Sequence, residues 1–364
     1  MTDWLYYRVG DIATTNKLSA VEAAGGDLSQ VHFHFADEVH ALYDWTQEPH
    51  ETLDNLIDQR VRQLRDNHDY LCLWFSGGYD SQTILDSFVR TNTRLDEILI
   101  YNRQWFEHEH NLEDKLAYKH ACWVQKNYQP WLHIRVVQYD PQAIFDFYTH
   151  HGGDWIYHDR GCFPGFTKQN RANTARWQKE FRPLAEQSGR LDINGAEKPR
   201  VNLVNGQWFA QMPDRAVYYY FDCPYELFYM SPAATKIYIK QCHTVIKWME
   251  QQPDVDHAWV HQVQSNNLGP EIYAQWNRAC GRTNVHDSIS AGGLYKHLVG
   301  GGVSALEGQK LVSASKTQHI SAHEHWRRGL GYIESRFGHC WDPKSGFTTV
   351  LREAIYLRDQ KPIK

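Results

Sequence analysis

Six consecutive residues, Ser76-Gly77-Gly78-Tyr79-Asp80-Ser81, bring two seryl hydroxyls, two glycines and a carboxylate together. Glycine lets the backbone approach an anion with no Cβ in the way, and seryl hydroxyls donate to phosphate oxygens. Asp80 would repel bare phosphate, so its presence makes sense where it holds a magnesium ion bridging carboxylate and phosphates. The expected chemistry is pyrophosphate binding. The patterns G-x-x-x-x-G-K-[ST] and G-x-G-x-x-G are both absent, which sets aside the standard P-loop and dinucleotide fingerprints. Further charged candidates are Glu197, Lys198 and Arg200 after Asn194-Gly195, and Lys236 and Lys240, four apart on one helix face.

Positioning such residues needs a strand before the bend and a helix after it. Leu71-Cys72-Leu73-Trp74-Phe75 is a continuous apolar run, followed by Ile98-Leu99-Ile100-Tyr101 and by Leu132 to Val137. Continuous runs suit strands covered on both faces. Ser81 to Arg90 and Glu109 to Tyr128 carry apolar residues at helical spacing, and the strands begin about 27 and 34 residues apart, as β-α-β units of roughly 30 residues do. The expected fold is α/β, a doubly wound parallel sheet with a fourth strand at Arg190 to Ile193. A turn at the carboxyl end of a parallel strand aims its amides and the next helix's positive end at one spot. In such a sheet the loop after the fourth strand faces the same crevice. A strand at Val31 to Phe35 and a helix from Thr52 to Arg65 precede this unit.

With its strand-turn-helix setting, the hexapeptide resembles the signature S-G-G-x-D-S of the PP-loop ATP pyrophosphatase superfamily, matched by Ser76, Gly77, Gly78, Asp80 and Ser81. The resemblance covers residues 65 to 205. It implies an adenine nucleotide alpha hydrolase-like, Rossmann-like fold, and cleavage of ATP between the alpha and beta phosphates with transfer of AMP to a substrate oxygen. ATP and Mg2+ are the implied cofactors. The implied nucleotide contacts are Phe75, Ser76, Gly77, Gly78, Tyr79, Asp80, Ser81 and Tyr101. Asp80 and Glu197 would hold the metal; Lys198 and Arg200 would lie near the phosphates. Glu226 to Pro232, followed by Lys236, Lys240, Gln241 and His243, is similar to the helical half of asparagine synthase-like proteins, including stand-alone versions associated with bacteriophages. One of the two lysines would then reach the developing phosphate charge; a solvated basic face is the alternative.

The domains expected are 1–220, an ATP pyrophosphatase domain with an extension over 1–65, and 221–364, a mostly helical substrate or lid region. The glycine-rich stretch from His286 to Gln318 is a lid candidate. Seven cysteines without a C-x-x-C pair disfavour thiolation enzymes and deazaguanine nitrile synthases. The absence of a cysteine in Met1-Thr2-Asp3 disfavours a glutaminase-bearing synthetase. With 38 Lys plus Arg against 43 Asp plus Glu, the formal charge of -5 disfavours a nucleic-acid coat. Residues 168 to 200, with eight basic against four acidic residues, keep a nucleic-acid substrate in play. No apolar run approaches the roughly 20 residues of a membrane span. No secretory signal is visible, so a cytoplasmic location is expected.

The expected partners are a carboxylate or amide substrate and an amine donor or ammonia, with homo-oligomerisation left open. Asp80→Ala is expected to abolish turnover while leaving the fold intact. The alternatives are an ATP-dependent nucleobase or tRNA modification enzyme of the same superfamily and a non-catalytic ATP-binding protein. His319, His323 and His325 cluster, and on a helix His319 and His323 would share a face as a possible metal pair; no third ligand is fixed by spacing, and exposed or hydrogen-bonded histidines are the expected reading. Asn111, Glu113 and Asp114 begin a polar patch that could hold substrate or serve as first-turn acids complementing the helix dipole, the second being the expected role.

Overall fold

The computed structural model describes residues 4–14, 17–102, 112–138, 189–195, 199–212, 225–253, 255–264, 268, 270–282, 341–342, 346–347 and 354–360. The chain opens with β1 (Leu5–Val9), β2 (Ile12–Thr14), α1 (Lys17–Ala23), β3 (His32–Phe35) and α2 (Asp37–His40). The three strands form an antiparallel sheet in the order β2-β1-β3. Only β3 is legible as a strand in the sequence. α3 (Leu53–Asn67) follows, capped by Thr52, whose hydroxyl accepts from the Asn55 amide at 3.2 Å. Its Leu56, Ile57, Val61 and Leu64 recur at helical spacing and are all buried.

The chain continues through β4 (Tyr70–Trp74), α4 (Tyr79–Arg90), β5 (Glu97–Asn102), α5 (Leu112–Asn127), β6 (His133–Gln138), β7 (Arg190–Asn194), β8 (Arg200–Val204), β9 (Gln207–Gln211) and β10 (Tyr225–Leu227). Five of these strands make one all-parallel sheet, ordered β10-β7-β4-β5-β6. The path runs outward from β4 to β6, then resumes at β7 on the other side of β4. The strand order therefore reverses between β4 and β7, the place where open α/β sheets form a crevice at the carboxyl ends of their strands.

Leu71, Leu73, Phe75, Ile98 and Ile100 face one side of the sheet and join the main core with residues of α3, α4 and α5. The alternate residues Cys72 and Leu99 pack on the other side with Tyr70 and Trp74. That second face also holds charge. Glu97, fully buried, accepts from Arg190 (2.9 Å), Arg135 (2.8 Å) and the Tyr70 hydroxyl (2.8 Å). Arg190 also pairs with Asp192 at 3.0 Å. A buried carboxylate shared by two guanidiniums satisfies groups that would be costly to bury alone. The apolar runs mark the strands correctly but give no sign of this charged ladder.

The remaining elements are α6 (Thr235–Met249), α7 (His257–Gln264), α8 (Pro270–Ala279), β11 (Trp341–Asp342), β12 (Gly346–Phe347) and β13 (Ile355–Asp359). β13 pairs with β9 in the antiparallel sheet β13-β9-β8. The helical reading beyond residue 220 needs correction at its start. Tyr225–Leu227 is a strand, β10, which completes the parallel sheet by pairing with β7. Three residues are too few to display strand periodicity. Among the described residues no helix is long and apolar enough to cross a membrane. The glycine-rich stretch 286–318 and His319, His323 and His325 lie outside the described residues.

Candidate active site

The bend from Ser76 to Ser81 leaves the end of β4 at the point of strand-order reversal. Gly77 has φ +70, and a Cβ there would meet the Ala117 Cβ at 3.1 Å, so the left-handed turn packs directly on α5. Gly78 precedes the first turn of α4 in an extended conformation. The Ser76 amide donates to the Ser81 Oγ at 3.2 Å, and the Gly78 amide to the Ser76 Oγ at 3.3 Å. These long bonds fold the bend onto its own hydroxyls. An anion with better acceptor oxygens would compete for the same donors.

The loop after β7 reaches this bend. A Cβ on Gly195 would lie 3.1 Å from the Asp80 carbonyl carbon and 2.9 Å from the Ile84 Cδ1. Gly195 therefore packs against the first turn of α4, next to the Ser76–Ser81 bend. Glu197 and Lys198 lie outside the described residues. Arg200 opens β8; its amide donates to the Tyr238 hydroxyl at 3.3 Å.

The group against Asp80 comes from far along the chain. Arg282, with no exposed side-chain surface, forms an ion pair with the Asp80 carboxylate, which is about a quarter exposed. The Arg282 guanidinium carbon also lies 4.3 Å from the centre of the Tyr229 ring, and the Tyr229 hydroxyl donates to the Asp80 carbonyl at 2.9 Å. Burial opposes the Arg282 charge, but the adjacent Asp80 carboxylate outweighs it and lifts the guanidinium pKa above its ordinary value. Burial likewise pushes the Tyr229 hydroxyl up, so it stays a neutral donor.

The end of α8 places Arg282. The Arg282 amide donates to the Asn277 carbonyl at 3.0 Å and the Gly281 amide to the Arg278 carbonyl at 2.9 Å, with Gly281 at φ +69. This is a Schellman closure, in which a left-handed glycine turns the chain back across the helix end. A Cβ on Gly281 would lie 2.4 Å from the Leu53 Cδ1 and 3.1 Å from the Leu53 Cβ, so α8 ends flush against α3. Gly281 just past a helical segment is a legible stop signal. That the next residue points at a bend two hundred positions earlier is not.

Phe75 is buried and stacks on His120, ring centres 6.2 Å apart. His120 in turn lies 2.8 Å from the Gln82 Nε2 on α4. Tyr101 lies in β5 opposite Val137. Glu113 and Asp114 lie in the first turn of α5, and Asn111 falls outside the described residues. Lys236 pairs with Glu51 at 3.1 Å, while Lys240 pairs with Glu48 and donates to the Pro49 carbonyl, both at 2.8 Å. The structure thus engages both ammonium groups with residues 48–51.

No protein-family model matches the chain, and no curated protein matches it either. The functional reading therefore rests on the residues. As a phosphate cradle they fit: two donor hydroxyls, a left-handed glycine and a helix start converge at a strand-order reversal. As a magnesium ligand Asp80 fits less simply, because its carboxylate already faces a guanidinium. Asp80→Ala removes the carboxylate paired with a fully buried guanidinium, so a folding cost is expected beside the loss of turnover.

Proposed function

We propose that the chain binds ATP at the Ser76–Ser81 bend and splits it between the alpha and beta phosphates, as PP-loop ATP pyrophosphatases do. A substrate carboxylate or amide oxygen takes the AMP group, and an amine or ammonia then displaces AMP. The observation carrying this reading is the glycine bend at the β4/β7 reversal with Asp80 and Arg282 at its side.

The bend amides and the Ser76 and Ser81 hydroxyls hold the pyrophosphate, the part that departs. Magnesium, when bound, would neutralise phosphate charge, with Asp80 as its ligand on this chain and Glu197 as a second candidate. Arg282 supplies a fixed positive charge beside the same carboxylate, and Tyr229 holds the Asp80 backbone in place. Lys198, Arg200, Lys236 and Lys240 remain candidates for the phosphate charge; the last two would first have to leave Glu51 and Glu48. No covalent protein nucleophile is needed, because positioning and charge stabilisation suffice for both transfers.

A second reading, a non-catalytic ATP-binding protein, draws support from the Asp80–Arg282 pair, which leaves the carboxylate already neutralised. One assay separates them. ATP labelled at the alpha phosphate, incubated with magnesium, candidate carboxylic acids and ammonia, should yield labelled AMP and pyrophosphate. ADP and phosphate as products would overturn the proposed bond cleavage. An ATP-induced thermal shift without turnover across the acids tried would favour the binding protein.

A further inference from the structure

Away from the bend, among the described residues, His32, His34 and Asp37 bring three metal-ligating atoms within 4.8 Å of one another. His32 and His34 alternate along β3 and so share a face. Ala36 then adopts a left-handed conformation, φ 48 and ψ 41, which turns the chain sharply into α2. A non-glycine residue holds that conformation only where its surroundings fix it. The turn brings Asp37 back against the two rings. The His32 Nε2 and the His34 Nδ1 lie 3.2 Å and 3.1 Å from the same Asp37 oxygen, Oδ2.

We propose that His32, His34 and Asp37 form a binding site for a divalent transition metal of the zinc class, which ties the N-terminal sheet to the start of α2. The first support is geometric. Tetrahedral zinc with bonds of roughly 2.0–2.1 Å has ligand-to-ligand edges of roughly 3.3 Å. The two separations to Asp37 come close to that edge.

The second support is the setting of His34, which is 3 % exposed. Its Nδ1 faces Asp37, while its Nε2 is buried without a hydrogen bond and lies 3.3 Å from the Glu38 carboxylate. With a metal on Nδ1, Glu38 stands where an outer carboxylate orients a ligating imidazole. Stacking on Tyr6, with ring centres 4.4 Å apart, holds the His34 ring in place. His32 and Asp37 are 44% and 28% exposed, which gives the ion an entry path and leaves the fourth position to water. Arg8, the cross-strand neighbour of His32, is the nearby cation that the ion must tolerate.

The test uses the full, untagged chain, stripped with a chelator and titrated with Zn2+ by calorimetry. One ion per chain is expected, with a thermal midpoint raised by roughly 4 °C or more at a hundredfold excess over Kd. His32→Ala and Asp37→Asn should each weaken binding at least tenfold, and Glu38→Gln should weaken it roughly tenfold while keeping the stoichiometry. His32 is exposed, so its alanine variant keeps the test valid should Asp37→Asn fold poorly. No saturable binding, or binding unchanged in His32→Ala, would overturn the proposal, the latter by placing the ion elsewhere among the 21 histidines.

Discussion

Asp80 and Arg282 form the pair on which the site's stability and chemistry both turn. A fully buried guanidinium is tolerated because a carboxylate and an aromatic face enclose it. Removing the carboxylate alone should therefore cost more than removing both partners. Asp80→Asn is expected to destabilise the protein by roughly 3 kcal/mol, and Arg282→Met in the same chain should restore a large part of it. Urea unfolding of the two single variants and the double variant measures this coupling. Additive effects would mean that the pair contributes nothing beyond packing. The cycle also bears on activity: loss of turnover in Asp80→Ala is interpretable only after subtracting the folding defect.

Each element near the bend is held by contacts that a linear pattern hides. α4, which carries the bend's helix start, is fastened to α3 through Asp58, which accepts from the Ser87 hydroxyl and from Arg90, both at 2.6 Å. Burial alone would raise the Asp58 pKa, but the bonds from Arg90 and Ser87 overcome it and hold the carboxyl below its ordinary value. The folded pKa is depressed, so the stabilisation is present in full above the ordinary carboxylate range and is lost as pH falls through and below about 4. Asp58→Asn should lower stability by about 1 kcal/mol at neutral pH, discounted for the exposed Arg90 head, and flatten the acid limb of the stability curve. Thermal melts between pH 3 and pH 7 on both proteins check the sign. A steeper acid limb in the variant would contradict the assignment. The α3 and α4 segments themselves were readable from their apolar spacing, because each buries one face only. β1 and β10 were not: β1 carries its alternation of buried Leu5, Tyr7 and Val9 with Tyr6 and Arg8 over five residues only, and β10 is three residues long.

At the scale of the molecule, the crevice is assembled from four separate stretches: Ser76 to Ser81, Asn194-Gly195, Tyr229 and Arg282. Only the first two were legible, because a bend and a strand end leave local marks in a sequence. Tyr229 and Arg282 acquire their roles from topology alone. β10 delivers Tyr229 beside β7, and the Schellman end of α8 delivers Arg282, and neither event has a local signature beyond Gly281. This convergence makes a prediction that an isolated loop would not satisfy. A nucleotide that binds folded chains and not unfolded ones stabilises every contact that must form before binding, so protection should spread to all four stretches. Hydrogen exchange with and without ATP and magnesium should show slowed amides at residues 77–82, and also at 194–195, 229–231 and 280–282, despite their distance in sequence. Slowing confined to residues 77–82 would mean that Tyr229 and Arg282 brace the bend without taking part in binding. Faster exchange at 280–282 would mean that the nucleotide releases Asp80 from Arg282, with the carboxylate passing from the guanidinium to the metal.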